Sequence, residues 1–185
     1  MFVVSMAVMG SANMPQINMN LLILKNVGGT VTHTGIATAF NTVAEFVAMR
    51  YPKPYSRFTA HQRLLGAGAL YIASTVMMLI AGGVWMLYAA SFVNGIAYGI
   101  LLPARRQFVN EVTPPEAQNR AQGLGDMGYL NFGGLVGNQA SGLIIDSLGV
   151  RVLLIIFIVL QTLGVTGLAL LGKAAKRARL SANNG

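Results

Sequence analysis

Apolar residues in this chain gather into six long runs with short polar connections between them. The runs lie near Phe2–Leu24, Val31–Met49, Leu64–Ala81, Val84–Phe108, Ala121–Ile145 and Val152–Leu171. About 20 mostly apolar residues are what an α-helix needs to cross the hydrocarbon core of a bilayer. The pattern predicts an all-α membrane protein: a six-helix transmembrane bundle over residues 1–172, then a basic tail over 173–185 that is expected to be disordered. The first run is too long for a cleaved signal, lacks a basic start and is studded with amides, so it reads as a span.

Polar residues inside the runs are the candidate chemistry. In the first run Asn13, Gln16 and Asn20 fall at i, i+3 and i+7, one face of a helix. Amides do not face lipid tails cheaply, so this face is expected to line a water-filled cavity, with helix-to-helix hydrogen bonding as the structural alternative. Pro15, among them, removes a backbone hydrogen bond and predicts a kink. In the second run Asn41 and Glu45 are four apart and share a side. An ionisable group inside a span is costly and marks a polar pathway or substrate site by default. Glu45 can serve as a proton carrier or as an acceptor for solute hydroxyls, and the sequence does not choose between them. The alternative is a residue near a helix end that reaches the headgroups, Arg50 being five positions on. The fifth run is rich in glycine, and Gly133, Gly137 and Ser141 form a small-xxx-small ridge. Gly95 and Gly99 do the same in the fourth, and both ridges predict close helix packing. The sixth run, aliphatic but for Gln161, reads as a lipid-facing support helix.

Composition and charge narrow the classes. The chain is 54% hydrophobic and 10% charged, against about 25% charged for a soluble domain. The net charge of +8 is not gathered on a soluble basic face, which argues against nucleic acid as a partner. Eleven of the thirteen bases lie between runs two and three, flank the connection between four and five, or follow six, leaving Lys25 and Arg151 on the other side. Positive charge stays cytoplasmic, so both termini are expected inside, in a multi-pass protein of the cell membrane. With no cysteine, two histidines far apart (His33 and His61) and no nucleophile–base pair, the sequence predicts no enzyme, no metal and no cofactor.

Three stretches carry a family resemblance. Pro114-Pro115-Glu116-Ala117-Gln118-Asn119-Arg120-Ala121 resembles the connection entering the fifth helix in a half of a major facilitator superfamily transporter. Gly142 to Arg151 resembles the G-x-x-x-D-x-x-G-x-R turn between its last two helices. Tyr55 to Arg63 stands where the D-R-x-G-R-R loop lies, but lacks its aspartate and glycine, and Pro52 and Pro54 interrupt the approach. The resemblance covers about residues 2–172 and implies the C-terminal six-helix half of that fold, a 3+3 inverted repeat. Gly35 to Met49 is similar to the sugar-efflux and oligosaccharide/proton symporter branch, where a glutamate in the same place takes part in sugar binding.

The resemblance implies transport of a small polar solute, a sugar among the candidates, by proton-coupled alternating access. Glu45, Asn41, Asn13, Gln16 and Asn20 would be substrate or proton ligands. Arg57 and Arg63 would help close the cytoplasmic side, and Asp146 and Arg151 would stabilise the opposite turn and pair across it. Such transporters hold substrate between two halves, so the chain is expected to need a second six-helix half: a separate chain, a missing N-terminal part or a second copy. The competing expectation is a truncated or split gene product, or an assembly subunit without transport activity.

Overall fold

The computed structural model of the chain describes residues 2–18, 25 and 27–183, and side chains within them except at 17, 18 and 173–183. It is helical almost throughout: α1 (Phe2–Asn18), α2 (Val31–Arg50), a single turn at Lys53–Ser56, α3 (Ala60–Leu79), α4 (Val84–Val112), a 3-10 turn at Pro115–Ala117, α5 (Gln118–Asp126), a π-helical turn at Met127–Phe132, and α6 (Gly133–Asn183). Local chemistry sets several of these ends. Thr30 opens α2 in a reciprocal cap with His33, and Thr59 opens α3 in the same way with Gln62, whose amide N–H donates to Thr59 Oγ1 at 3.2 Å. Each cap satisfies donors that a helix start leaves without partners. Because of its cap the third helix starts at Ala60 rather than near Leu64. Pro114 and Pro115 follow α4 at a point where the helix cannot continue.

Two helical stretches among the described residues are both long and apolar enough to cross a membrane by themselves, Val84–Val112 and the 58 residues Pro115–Gly172. A straight helix of the latter length would reach roughly 87 Å, far more than the ~30 Å core of a bilayer. It is broken at Gly149, whose φ of 82° and ψ of 169° lie in a region essentially closed to residues with a Cβ. Gly149 therefore makes the turn that the Gly142–Arg151 motif predicts. Asp146 and Arg151 are both exposed and do not pair across it. Exposed ion pairs gain little, and the backbone of Gly149 alone sets the reversal. Helices α2 and α3, of 20 residues each, have the length but carry more polar side chains. Past Gly172 the helix continues to Asn183, where the sequence reading expects a disordered tail.

Close contact between helices is organised by small residues. α1 lies along α6 and the π turn, α2 lies chiefly along α4, and α3 packs between α4 and α6. A Cβ at Gly10 would run into the Tyr129 carbonyl, one at Gly133 into the Ala7 carbonyl, and one at Gly137 into the Ser11 carbonyl and Pro15 ring. Ser11 is four residues before Pro15, so its carbonyl is the one the proline deprives of a helical donor. Across the bundle, Gly95 and Gly99 meet the carbonyls of Asn41 and Glu45. One apolar cluster forms around Met6, Met9, Leu64, Tyr71, Leu101 and Tyr129, and a second around Met78, Leu87, Leu153, Leu154 and Phe157. The sixth run is thus no mere lipid-facing support, because one of its faces is core.

Candidate functional site

A continuous polar thread runs through the bundle between these clusters. On α2, Asn41 Nδ2 donates to Ser91 O and to Asn94 Oδ1, both at 3.1 Å. Asn94 Nδ2 donates to Ser74 Oγ at 3.3 Å, and Gln16 Nε2 lies 3.4 Å from the same hydroxyl and 3.0 Å from Met78 Sδ. The Thr75 hydroxyl has Tyr71 O, Gln161 Oε1 and Gln16 Oε1 within 2.9, 3.0 and 3.2 Å. Its single proton serves one of them at a time. Gln161 Nε2 donates to Asn13 Oδ1 at 2.8 Å, and Asn13 Nδ2 donates to the Tyr129 hydroxyl at 3.1 Å. That hydroxyl in turn donates to Tyr71 Oη at 3.3 Å.

This geometry corrects the expectation for the first helix. Asn13 is 0% exposed and Gln16 2%, and their amides bond across helices instead of facing a cavity. The three-residue stripe looked like a cavity wall because the groups opposite it, Ser74, Thr75, Gln161 and Tyr129, come from runs whose facing cannot be read from spacing. Asn20 lies outside the described residues.

Glu45 differs. It is half-buried in α2 and, among the described residues, makes no hydrogen bond and no ion pair. Its backbone is fixed by Gly99, while the Tyr98 hydroxyl stands within electrostatic reach of Glu45, Arg105, Asp126 and Arg106. The described part of the protein thus leaves this carboxylate free to take a proton or a hydroxyl.

An ionic group that spacing did not single out lies next in line. Arg105 on α4 is 3% exposed; its Nη2 pairs with Asp126 Oδ1 at the end of α5. The guanidinium lies over the Tyr129 ring, 5.5 Å from its centroid, and Nη1 is buried without an acceptor among the described residues. A buried arginine is retained only with a partner. The sequence signal was present: Asp126 is the one acid besides Glu45 in a predicted span, and Arg105 faces it across a short proline connection. Counting Arg105 as a topology marker concealed it.

The remaining predicted residues lie apart from this thread. Arg57 stacks on Phe58, 5.1 Å from the ring centroid, and Arg63 Nη2 donates to Gln107 Oε1. Tyr55, in the connection before α3, donates to the Ala48 carbonyl. Burial pushes its hydroxyl above the ordinary tyrosine range, and the Arg63 guanidinium partly offsets this. A groove of about 680 Å³ between α1 and the π turn is lined mostly by aliphatic and aromatic side chains, with Ser11 and Asn131 as its polar lining; it is separate from the polar thread. Among the described residues no cluster of three potential metal ligands occurs.

Comparison with known proteins agrees with this architecture. The crystal structure titled "In meso crystal structure of the POT family transporter PepTSo" superposes with a TM-score of 0.71 over 93% of this chain and 36% of that one, at 19% identity, a likeness of fold. The uncharacterized transporter YwbF of Bacillus subtilis (strain 168) is 24% identical over 160 residues, 84% of this chain. The chain spans 39% of the length of that relative. The family model described as Major Facilitator Superfamily matches residues 1–184, which is a family of membrane transporters and not of enzymes, and the chain belongs to it.

Proposed function

We propose that this chain is the C-terminal six-helix half of a transporter that moves a small polar solute across the cell membrane by proton-coupled alternating access. Glu45 carries the reading: a half-buried carboxylate within a helix of membrane-spanning length, with no partner among the described residues. An unpaired acid in a membrane helix is expensive to keep, and a proton or a solute hydroxyl relieves that cost in turn. Asn41 stands one turn away and is tied to α4, so solute at Glu45 would compete for its amide. Asn13 and Gln16 would join the site as α1 moves away from α3 and α6, exchanging the bonds to those helices for bonds to solute, and Asn20 is proposed as a further ligand on the same stripe. The similarity of residues 35–49 to the sugar-transporting branch makes a sugar the preferred solute.

In this reading both termini are cytoplasmic, Arg57 and Arg63 hold the cytoplasmic edge, and Asp146 and Arg151 reach headgroups separately at the opposite turn. The second half comes from a separate chain, from a preceding part of the same polypeptide or from a second copy. A different reading, a split product or assembly subunit without transport, draws on Asn13 and Gln16, which are buried and bonded to neighbouring helices.

Two measurements decide between these. Proteoliposomes containing the native protein should move radiolabelled sugars when a proton gradient is imposed; no gradient-driven movement across a panel of mono- and disaccharides overturns the reading. The mass of the polypeptide in its own membrane then identifies the second half. A band near 19.6 kDa means a separate partner or second copy, and one of about twice that mass means a single two-half chain.

A further inference from the structure

The connection between α2 and α3 holds positive charge that no carboxylate in the described protein balances. Arg50, Lys53, Arg57 and Arg63 lie within it or at its ends, and the one ion pair among the described residues is Arg105 with Asp126. Arg50 and Arg57 rest on the rings of Tyr51 and Phe58, at 5.5 and 5.1 Å. Arg63 gives Nη2 to Gln107 and keeps a buried Nε without an acceptor among the described residues.

Beside these bases lies a groove of about 480 Å³ with graded chemistry. Its outer end is formed by Tyr55, Phe58, Gln62 and Arg63, and its inner end by Gly66, Leu70 and Ile100. Gln62, Gly66 and Leu70 are spaced by four along the first turns of α3, so they form one stripe running about 12 Å inward from the charged connection. Gly66 is exposed, and a Cβ there would meet no atom within 4 Å. The protein does not fill its own groove at that point.

A slot with bases and aromatic rings at headgroup depth, and an aliphatic floor below, fits one class of molecule. Interfacial aromatics sit at headgroup level, arginine binds phosphate through a fork of donors, and juxtamembrane bases attract anionic lipid. We propose that this groove is a site for one anionic phospholipid, its phosphate held by Arg63 with Arg57 and Lys53 around it, and one acyl chain laid along Gly66, Leu70 and Ile100. The site needs a bilayer but neither Glu45 nor any solute, so it stands apart from the transport reading.

The test is native mass spectrometry of the purified full chain in detergent, titrated with palmitoyl-oleoyl phosphatidylglycerol, with the corresponding phosphatidylcholine, and with inorganic phosphate. The wild-type chain should retain one phosphatidylglycerol in clear preference to phosphatidylcholine. Arg63→Gln, which removes a charged donor, should weaken retention about tenfold. Gly66→Leu should abolish it by filling the acyl slot, at an unchanged unfolding temperature, because its side chain enters open space. Gly123→Leu, at another glycine with no atom within 4 Å, should bind like wild type. If Arg63→Gln is poorly folded, Gly66→Leu decides alone. Equal retention of the two lipids, or wild-type retention by Gly66→Leu, overturns the proposal. So does inorganic phosphate that binds as tightly as the lipid, since that marks an anion site without a chain.

Discussion

Helices α1 and α2 carry similar polar pairs, Asn13 with Gln16 and Asn41 with Glu45, and among the described residues all but Glu45 bond across helices. The α1 pair is enclosed by α3, α6 and the π turn, and its amides bond to side chains of those elements. The α2 helix leans chiefly on α4, through Ala44 and Ala48 against Gly95 and Gly99 and through Ala37 in the cluster with Leu87, Tyr88 and Ala90. Its other side presents Val43, Phe46 and Val47 outward, and its carboxylate has no partner among the described residues. In a membrane, where helices gain little from hydrophobic burial against one another, contact quality and hydrogen bonds decide how firmly a helix is held. By that measure α1 is framework and α2 is the element best able to shift, and the unpaired acid sits on the second.

Mutations can break this contrast, beginning where the framework is tightest. Gly10→Val forces a branched side chain into the Tyr129 backbone and should cost upwards of about 3 kcal/mol. The expected result is a large drop in unfolding temperature in detergent, or loss of folded protein. Asp126→Asn leaves the Arg105 guanidinium unpaired. Because the Asp126 side chain is 41% exposed, the cost should be about 2 kcal/mol, below that of a wholly buried pair. The double change Arg105→Met with Asp126→Leu should be the more stable of the two variants, since the pair's desolvation cost goes with it. Gln161→Leu removes the group joining Asn13 to Thr75 and should cost about 1 kcal/mol. Glu45→Gln should change stability by less than about 0.5 kcal/mol, as nothing in the framework depends on its charge. A Glu45→Gln variant as unstable as Gln161→Leu would erase the distinction between the two helices.

Much of the fold was legible in the sequence because apolar runs of span length and proline or glycine punctuation have few structural solutions. The reversal at Gly149 is one such case: its motif predicts a turn, and the backbone needs a glycine there. The paired charge expected across that turn was not found, since proximity in sequence does not make two exposed groups meet. The π turn at Met127–Phe132 was not legible, because a shift in hydrogen-bond register leaves no mark in hydrophobic spacing. Nor was the destination of the α1 amides, which depends on Gln161, 148 residues away from Asn13. Glu45 was legible as a residue of interest from its cost alone. That it lacks a partner among the described residues while Asn13, Gln16 and Asn41 have theirs required the three-dimensional arrangement.

The most direct test is the effect of Glu45→Gln on proton movement in proteoliposomes containing the native protein and a trapped pH-sensitive dye. The account predicts that wild-type vesicles change internal pH when a transported sugar is added, and that Glu45→Gln vesicles, with the same amount of folded protein, do not. Sugar-dependent proton movement of wild-type size in the variant would contradict it.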